Sequence, residues 1–421
     1  MAKNSIKNVL KNADTQKVFE LLEKEIGNDK TSTVQQNIIN TLQNEHKIEI
    51  SINDFSKEKA GLNKKDFDKF IEACLYEFHT QTPQNAKIGI LFEQVDELSN
   101  AKSIEEVERL LCSILSREEY SKIDNENAYD RTIDLYLQFP EHFEHLHYTF
   151  EAKNASGKLW QERKEIEVFD KNIDLFTKKD ALEKAITMIT ETLGKGNFCK
   201  AETFECGFEK WFVVSIEGGL HTEGVIEKGK KEYISYKPEE HIVFVFNEKE
   251  KRLQTLASFS DKQVLQFEKA FGDAVLNIDI TKYIKKNDAF NTHEVYIRIL
   301  RNECLNLNIT NAKIKSIHVK QIKLQHIANH SKITLTNSQI EKDGDIYKEL
   351  KRYNLTEKYQ NNAMIGEEYE VQSIGFNVHY TVENRRKTIK KPFSIDSKGK
   401  TNLDMNYIGK TVREVLIANK I

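Results

Sequence analysis

Four prolines in 421 residues leave little to interrupt regular structure. No apolar run approaches the ~20 residues that a membrane span requires. The chain is therefore read as water-soluble, with no membrane contact. Its first segment, "MAKNSIKNVLKNADTQKVFELLEKEI", lacks the apolar core of a signal peptide and places Val9, Leu10, Val18, Leu21 and Leu22 at helical spacing. Nothing in it marks export. Cysteine is scarce as well: Cys74, Cys112, Cys199, Cys206 and Cys304 are odd in number, widely spread and never in a CxxC arrangement. This excludes a disulfide scaffold and favours a reducing cytoplasm, with the thiols read as buried structural groups rather than a Cys199–Cys206 bridge. Also missing are GxGxxG, the Walker pattern, GxSxG, the kinase signatures and HExxH. The glycines of "EGGLHTEG", Gly218, Gly219 and Gly224, suit a tight hairpin instead. The missing catalytic motifs favour a binding protein over an enzyme.

What is present is length enough for two or three domains, with 31% charged and 39% hydrophobic residues. Few prolines beside abundant Lys and Asn point to an AT-rich bacterial source. Up to about Leu115 the period is helical: in "KKDFDKFIEACLYEFH" Phe67, Phe70, Ile71, Cys74, Leu75 and Phe78 recur at three- and four-residue steps. Asp14 and Ser103 are the expected N-caps, the second in a capping box with Glu106. A transition broken by Pro140 follows, and beyond Leu159 the period becomes two. Strands are expected in "WFVVSIEG", "KKEYISYKP" and "EHIVFVFNEKEKRLQTLAS", with "NEKEK" as a turn. Helices are expected in "KKDALEKAITMITETLG", ending at Gly194, and in "SDKQVLQFEKAFGDAVL", opening at Ser260 or Asp261. The fold class is thus multidomain: an all-α helical region, then two α+β modules with antiparallel sheets. The boundaries are 1–118 for the helical domain, 119–158 for the transition, 159–285 for the middle domain and 286–421 for a basic C-terminal domain.

Charge sharpens that partition. Residues 311–421 carry 20 Lys and Arg against 12 Asp and Glu, whereas the preceding 310 residues carry 43 against 54. A total of −3 conceals a basic end and an acidic remainder, the pattern expected of a chain with a polyanionic partner or with mutually attracting domains. The basic charge gathers on "FNVHYTVENRRKTIKKPFSI". In its first strand Ile374, Phe376, Val378, Tyr380 and Val382 face one way, and Asn377, His379 and Thr381 the other. Ile389, Phe393 and Ile395 are the inward residues of the return strand, and Pro392 marks it as an edge. Arg385, Arg386, Lys387, Lys390 and Lys391, joined by Lys320 and Lys323, then form a candidate nucleic-acid contact. The same lysines would also protect an exposed edge strand from pairing with another chain.

Glu151-Ala152-Lys153 has the E-x-K form of restriction-like nucleases, with Asp134 or Asp130 as the second acid. Such a site would use Mg²⁺ or Mn²⁺, the only cofactor any of these readings calls for. It needs a strand, and the surrounding sequence is helical. His142, His145 and His147 crowd one segment, and His326 and His330 form an H-x-x-x-H pair. With no completing ligand in either motif, both are read as solvated surfaces and no metal is assigned. Trp160 and Trp211 each open a strand and are read as core.

In layout, "KLWQERKEIEVFD", a helix and then "YKPEEHIVFVFNEKEKRL" resemble a type of uncharacterised bacterial protein over about the last two thirds of the chain. Its shared motifs are structural, so the resemblance implies no active residue; it implies a place among phage-defence or other mobile gene sets. The leading expectation is a non-enzymatic cytoplasmic binding protein. Its basic C-terminal domain would contact nucleic acid and its helical domain a protein partner. A metal-dependent nuclease using Asp134, Glu151 and Lys153 is the alternative from another class, and a protein scaffold subunit is the third.

Overall fold

A computed structural model describes residues 2–78, 83–100, 103–156, 159–167, 175–227, 230–283, 290–301, 313–337, 344–353, 355, 368–381 and 388–419. The chain is multidomain and mixed α and β, and it divides into two compact units, Met1–Glu151 and Ala152–Ile421.

The first unit is helical. It contains α1 (Ala2–Asn12), α2 (Thr15–Ile26), α3 (Asn28–Thr41), α4 (Lys64–Phe78), α5 (Pro83–Ser99), α6 (Ile104–Ile114), α7 (Arg117–Ile123), α8 (Ala128–Gln138) and the start of α9 (Pro140–Asn154). The six-residue stripe expected on α4 is buried along its length. Its phenylalanines join an aromatic cluster in which Phe55 meets Phe19 edge-on at 4.6 Å and Phe70 at 5.6 Å. Asp14 caps α2 by accepting from the Gln16 amide at 2.8 Å. Ser103, however, stands in helical dihedrals and makes no cap bond. A cap residue must be extended to turn its hydroxyl toward the first-turn amides, so the expected box with Glu106 does not form. Ser116 is extended, and it forms a full capping box with Glu119.

The second unit holds two sheets. The first comprises β1 (Trp160–Arg163), β2 (Cys199–Cys206), β3 (Glu209–Glu217), β6 (Glu239–Asn247) and β7 (Arg252–Ala257), ordered β1-β7-β6-β3-β2 with antiparallel pairing. α10 (Lys179–Thr192) and α11 (Asp261–Phe271) contribute to its core. There Phe271 stacks on Phe244 at 4.7 Å and meets Phe212 edge-on at 5.2 Å. The helix ends fall where expected: Gly194 takes a left-handed φ of +70° just past α10, and Ser260 opens α11 in a capping box with Gln263. β4 (His221–Glu227) and β5 (Lys230–Tyr236) pair only with each other. Gly218 and Gly219 link β3 to this hairpin, and Gly224 lies inside β4.

The second sheet comprises β8 (Ile314–His326), β9 (Lys332–Thr336), β10 (Tyr369–Thr381) and β11 (Thr388–Asp396), in the order β11-β10-β8-β9. A separate core joins it to α12 (Thr292–Leu300), α13 (Gly344–Arg352) and α14 (Tyr407–Ala418). Ile374, Phe376, Val378, Phe393 and Ile395 are buried in it, as their alternation requires. Trp160 and Trp211 are buried too. Cys74, Cys112, Cys199 and Cys206 form no disulfide; Cys74 and Cys206 are buried as expected, whereas Cys112 is exposed and Cys199 half-buried, and Cys304 lies outside the described residues. No helix among the described residues is long and apolar enough to cross a membrane.

Candidate nucleic-acid interface

The sheet β11-β10-β8-β9 has one apolar face, against its helices, and one polar face. Register defines the second. On β10 it carries Gly375, Asn377, His379 and Thr381; opposite them stand Gln321, His318 and Ser316 on β8, and Ser394, Pro392, Lys390 and Thr388 on β11. Thr336 of β9 pairs with Gln321, and Thr334 with Lys323. From Gly375 to Thr381 this set contains no carboxylate. Lys320, Lys323 and Lys390 are exposed, as are Thr334, Thr336 and Pro392. Lys320 sits where the β8–β10 register shifts, between the residues paired with Gly375 and Phe376. Such a bulge re-aims the side chain it carries.

Asn377 departs from the expected solvent-facing pattern. It is fully buried, and neither its amide oxygen nor its amide nitrogen has a hydrogen-bond partner among the described residues. It pairs in register with His318, whose ring lies 5.6 Å from that of His379 and edge-on to it. A buried amide left unsatisfied costs about 1–3 kcal/mol, so a purely structural strand would place an apolar residue there. Asn377→Val is expected to raise the unfolding free energy by about 1–2 kcal/mol. Urea denaturation checks this, and an unchanged or lower midpoint would show that the amide is satisfied.

The other sequence-designated cations divide. Lys391 lies two residues before Phe393, on the inward side, and donates to the buried carboxylate of Asp404. Burial raises the pKa of that carboxyl against the pull of Lys391 and Arg413. Lys391 is thus held by a structural partner, whereas Lys390 remains exposed. Arg385, Arg386 and Lys387 lie outside the described residues. Elsewhere in the same unit, a groove of about 320 Å³ is lined by five cationic and three acidic side chains. Arg252 in that groove is already paired to Glu162, at 3.2 Å, and to Glu250, at 2.7 Å.

The residues of the nuclease reading occupy different settings. The E-x-K tripeptide is helical, inside α9, where residues two apart do not share a face. Asp134 is paired with Lys17. Asp130 accepts from the Asp14 amide at 2.6 Å, and burial raises its pKa. Lys153 lies 3.5 Å from Glu209 and 5.8 Å from the centre of the Trp211 ring. Glu151 is exposed, with its Oε2 3.7 Å from His147 Nδ1. His326 packs edge-on against Tyr369 at 5.0 Å and accepts from the Ala328 amide; His330 stands exposed in the following turn.

The sequence motif alone assigns His147 to a solvated surface, but the residue is 7% exposed. A signal for its burial exists in the chain: Phe143, Leu146, His147 and Phe150 repeat the i, i+3, i+4, i+7 steps of a buried helix face. Comparison of the chain with protein-family models, with curated proteins and with solved structures returns no match.

Proposed function

We propose that the protein is a non-enzymatic binding protein that holds nucleic acid on the polar face of its C-terminal sheet. One observation carries the reading: between Gly375 and Thr381 the described residues of that face include no carboxylate, and exposed Lys320, Lys323 and Lys390 border it. Ammonium groups of this kind contact phosphates and release counterions, while the half-buried Gln321 amide and the exposed Thr334 and Thr336 hydroxyls can bond sugars and base edges; the buried Asn377 amide takes no part. Among the described residues no Phe, Tyr or Trp lies on this stretch of the face, so recognition would rest on charge and hydrogen bonding rather than on base stacking. Arg385, Arg386 and Lys387, which follow β10 and precede β11 in the chain, are proposed to extend the contact. The helical unit is proposed to bind a protein partner; exposed Tyr76 and Ile90 offer apolar contacts there. A cytoplasmic setting is proposed from the N-terminal segment and the scattered cysteines, and a place in bacterial defence from the layout resemblance alone.

The test is titration of labelled single- and double-stranded DNA and RNA at two salt concentrations, with and without Mg²⁺, read on a gel that shows binding and cleavage together. Binding that weakens with salt and leaves the strands intact is the expected result. Changing Lys320, Lys323 and Lys390 together to Ala is expected to lower affinity about tenfold or more. On duplex DNA it should also flatten the log–log salt slope by about 0.9 for each phosphate no longer neutralised. Unchanged affinity and slope in that variant would remove the sheet face from the interaction, and Mg²⁺-dependent cutting would overturn the non-enzymatic reading.

A further inference from the structure

α5 and α9 bring together three side chains that the sheet has no part in. Glu97 lies in the last turn of α5; His147 and Glu151 are four residues apart on α9, the spacing that places two side chains on one helix face. His147 Nε2 is 3.5 Å from Glu97 Oε2, and His147 Nδ1 is 3.7 Å from Glu151 Oε2. One donor atom from each residue falls within 4.8 Å of the other two. The imidazole side chain is 9% exposed, whereas both carboxylates are 55% exposed. His147 Nε2 is itself buried and makes no hydrogen bond among the described residues.

A buried imidazole nitrogen without a hydrogen bond is costly unless something accepts its lone pair or its proton. Two carboxylates beside it supply negative charge but no well-formed hydrogen bond. We propose that Glu97, His147 and Glu151 form a binding site for a divalent first-row transition-metal ion. One nitrogen and two carboxylate oxygens suit Zn²⁺, Mn²⁺, Fe²⁺ or Co²⁺ better than Mg²⁺ or Ca²⁺, which take oxygen ligands almost exclusively. Burial fixes the imidazole, and the exposed carboxylates close on the ion from the solvent side. Three protein ligands leave a coordination position for water, as in open sites, where closed structural zinc sites use four. A protonated imidazolium between two carboxylates is the competing arrangement; it would bind no metal.

Full-length protein stripped with chelator is titrated with Co²⁺ while its visible d–d absorption is followed, and with Zn²⁺ by equilibrium dialysis. The expected result is saturation near one ion per chain. Glu97→Gln and Glu151→Gln, both at exposed positions, should each weaken affinity about tenfold or more, and His147→Gln at least as much. His142→Gln, in the same histidine-rich segment but outside the site, and His330→Gln, in the H-x-x-x-H pair, should bind as the parent does. If the stripped protein takes up no ion, the site does not exist. If the two glutamate variants bind like the parent, any ion taken up resides elsewhere and the assignment is wrong. Because the glutamates are exposed, their variants decide the matter even if His147→Gln does not fold.

Discussion

Glu268→Ala is expected to destabilise the protein by about 3–5 kcal/mol, the cost of breaking a buried ion pair by deleting one partner. Glu268 on α11 and Arg163 on β1 are both nearly inaccessible, with side-chain exposures of 1% and 6%. The Arg163 Nε and one terminal nitrogen donate to Glu268 Oε2 at 2.8 and 2.6 Å, and the other terminal nitrogen donates to the Tyr283 carbonyl at 3.1 Å. Deleting the carboxylate leaves a guanidinium that cannot lose its proton and cannot reach water. Replacing both partners by apolar residues, Arg163→Met with Glu268→Leu, should recover most of the loss, because no charge then remains to be desolvated. Urea titration of the single and double variants gives the comparison. A loss below about 1 kcal/mol in Glu268→Ala would place the pair in the range of surface bridges and refute its buried character.

The second large effect belongs to the other sheet. Phe376 is fully buried and stacks on Phe393 with ring centres 4.9 Å apart and planes 11° from parallel. Truncation to Ala removes a large apolar side chain and leaves a cavity between two strands, for an expected cost of about 3–5 kcal/mol. Its neighbour Asn377 faces the polar side, so a loosened β10 should also weaken the nucleic-acid binding proposed for that face. Phe376→Leu keeps much of the volume and should cost markedly less. Equal losses from the two substitutions, measured by denaturation, would show that the position is not tightly packed.

Much of this architecture is legible in the chain because period carries it. Three- and four-residue steps mark α4, and strict alternation marks β10 with its buried Ile374, Phe376 and Val378. The exceptions are polar residues at positions the period assigns to the core. Val264, Phe267, Glu268 and Phe271 follow the steps of one buried face, as do Phe143, Leu146, His147 and Phe150. Lys391 keeps the alternation of Ile389, Phe393 and Ile395. Reading such a residue by its charge sends it to the surface; reading it by its position sends it inward, where it needs a partner. What period cannot supply is that partner's identity, since Arg163 is 105 residues from Glu268 and only tertiary packing joins them. Asn377 is the reverse case: alternation assigns it correctly to the second face, but nothing local reveals that the position is closed to water. The candidate site is accordingly legible as a charge pattern and illegible as a set of buried polar atoms.

The pairing of β10 with strands on both sides also limits how this protein can diverge. One inserted residue between Gly375 and Val378 would turn His379 toward the helices and Val378 toward the polar face, exchanging the two functions of the strand in a single event. Substitutions can accumulate one at a time on either face, whereas a change of length must be absorbed in a bulge, as it is at Lys320. Kindred chains are therefore expected to hold β8, β10 and β11 at constant length while their residues drift, and to lengthen or shorten at the turns. Kinship of that sort survives as an alternating pattern long after residue identity has gone.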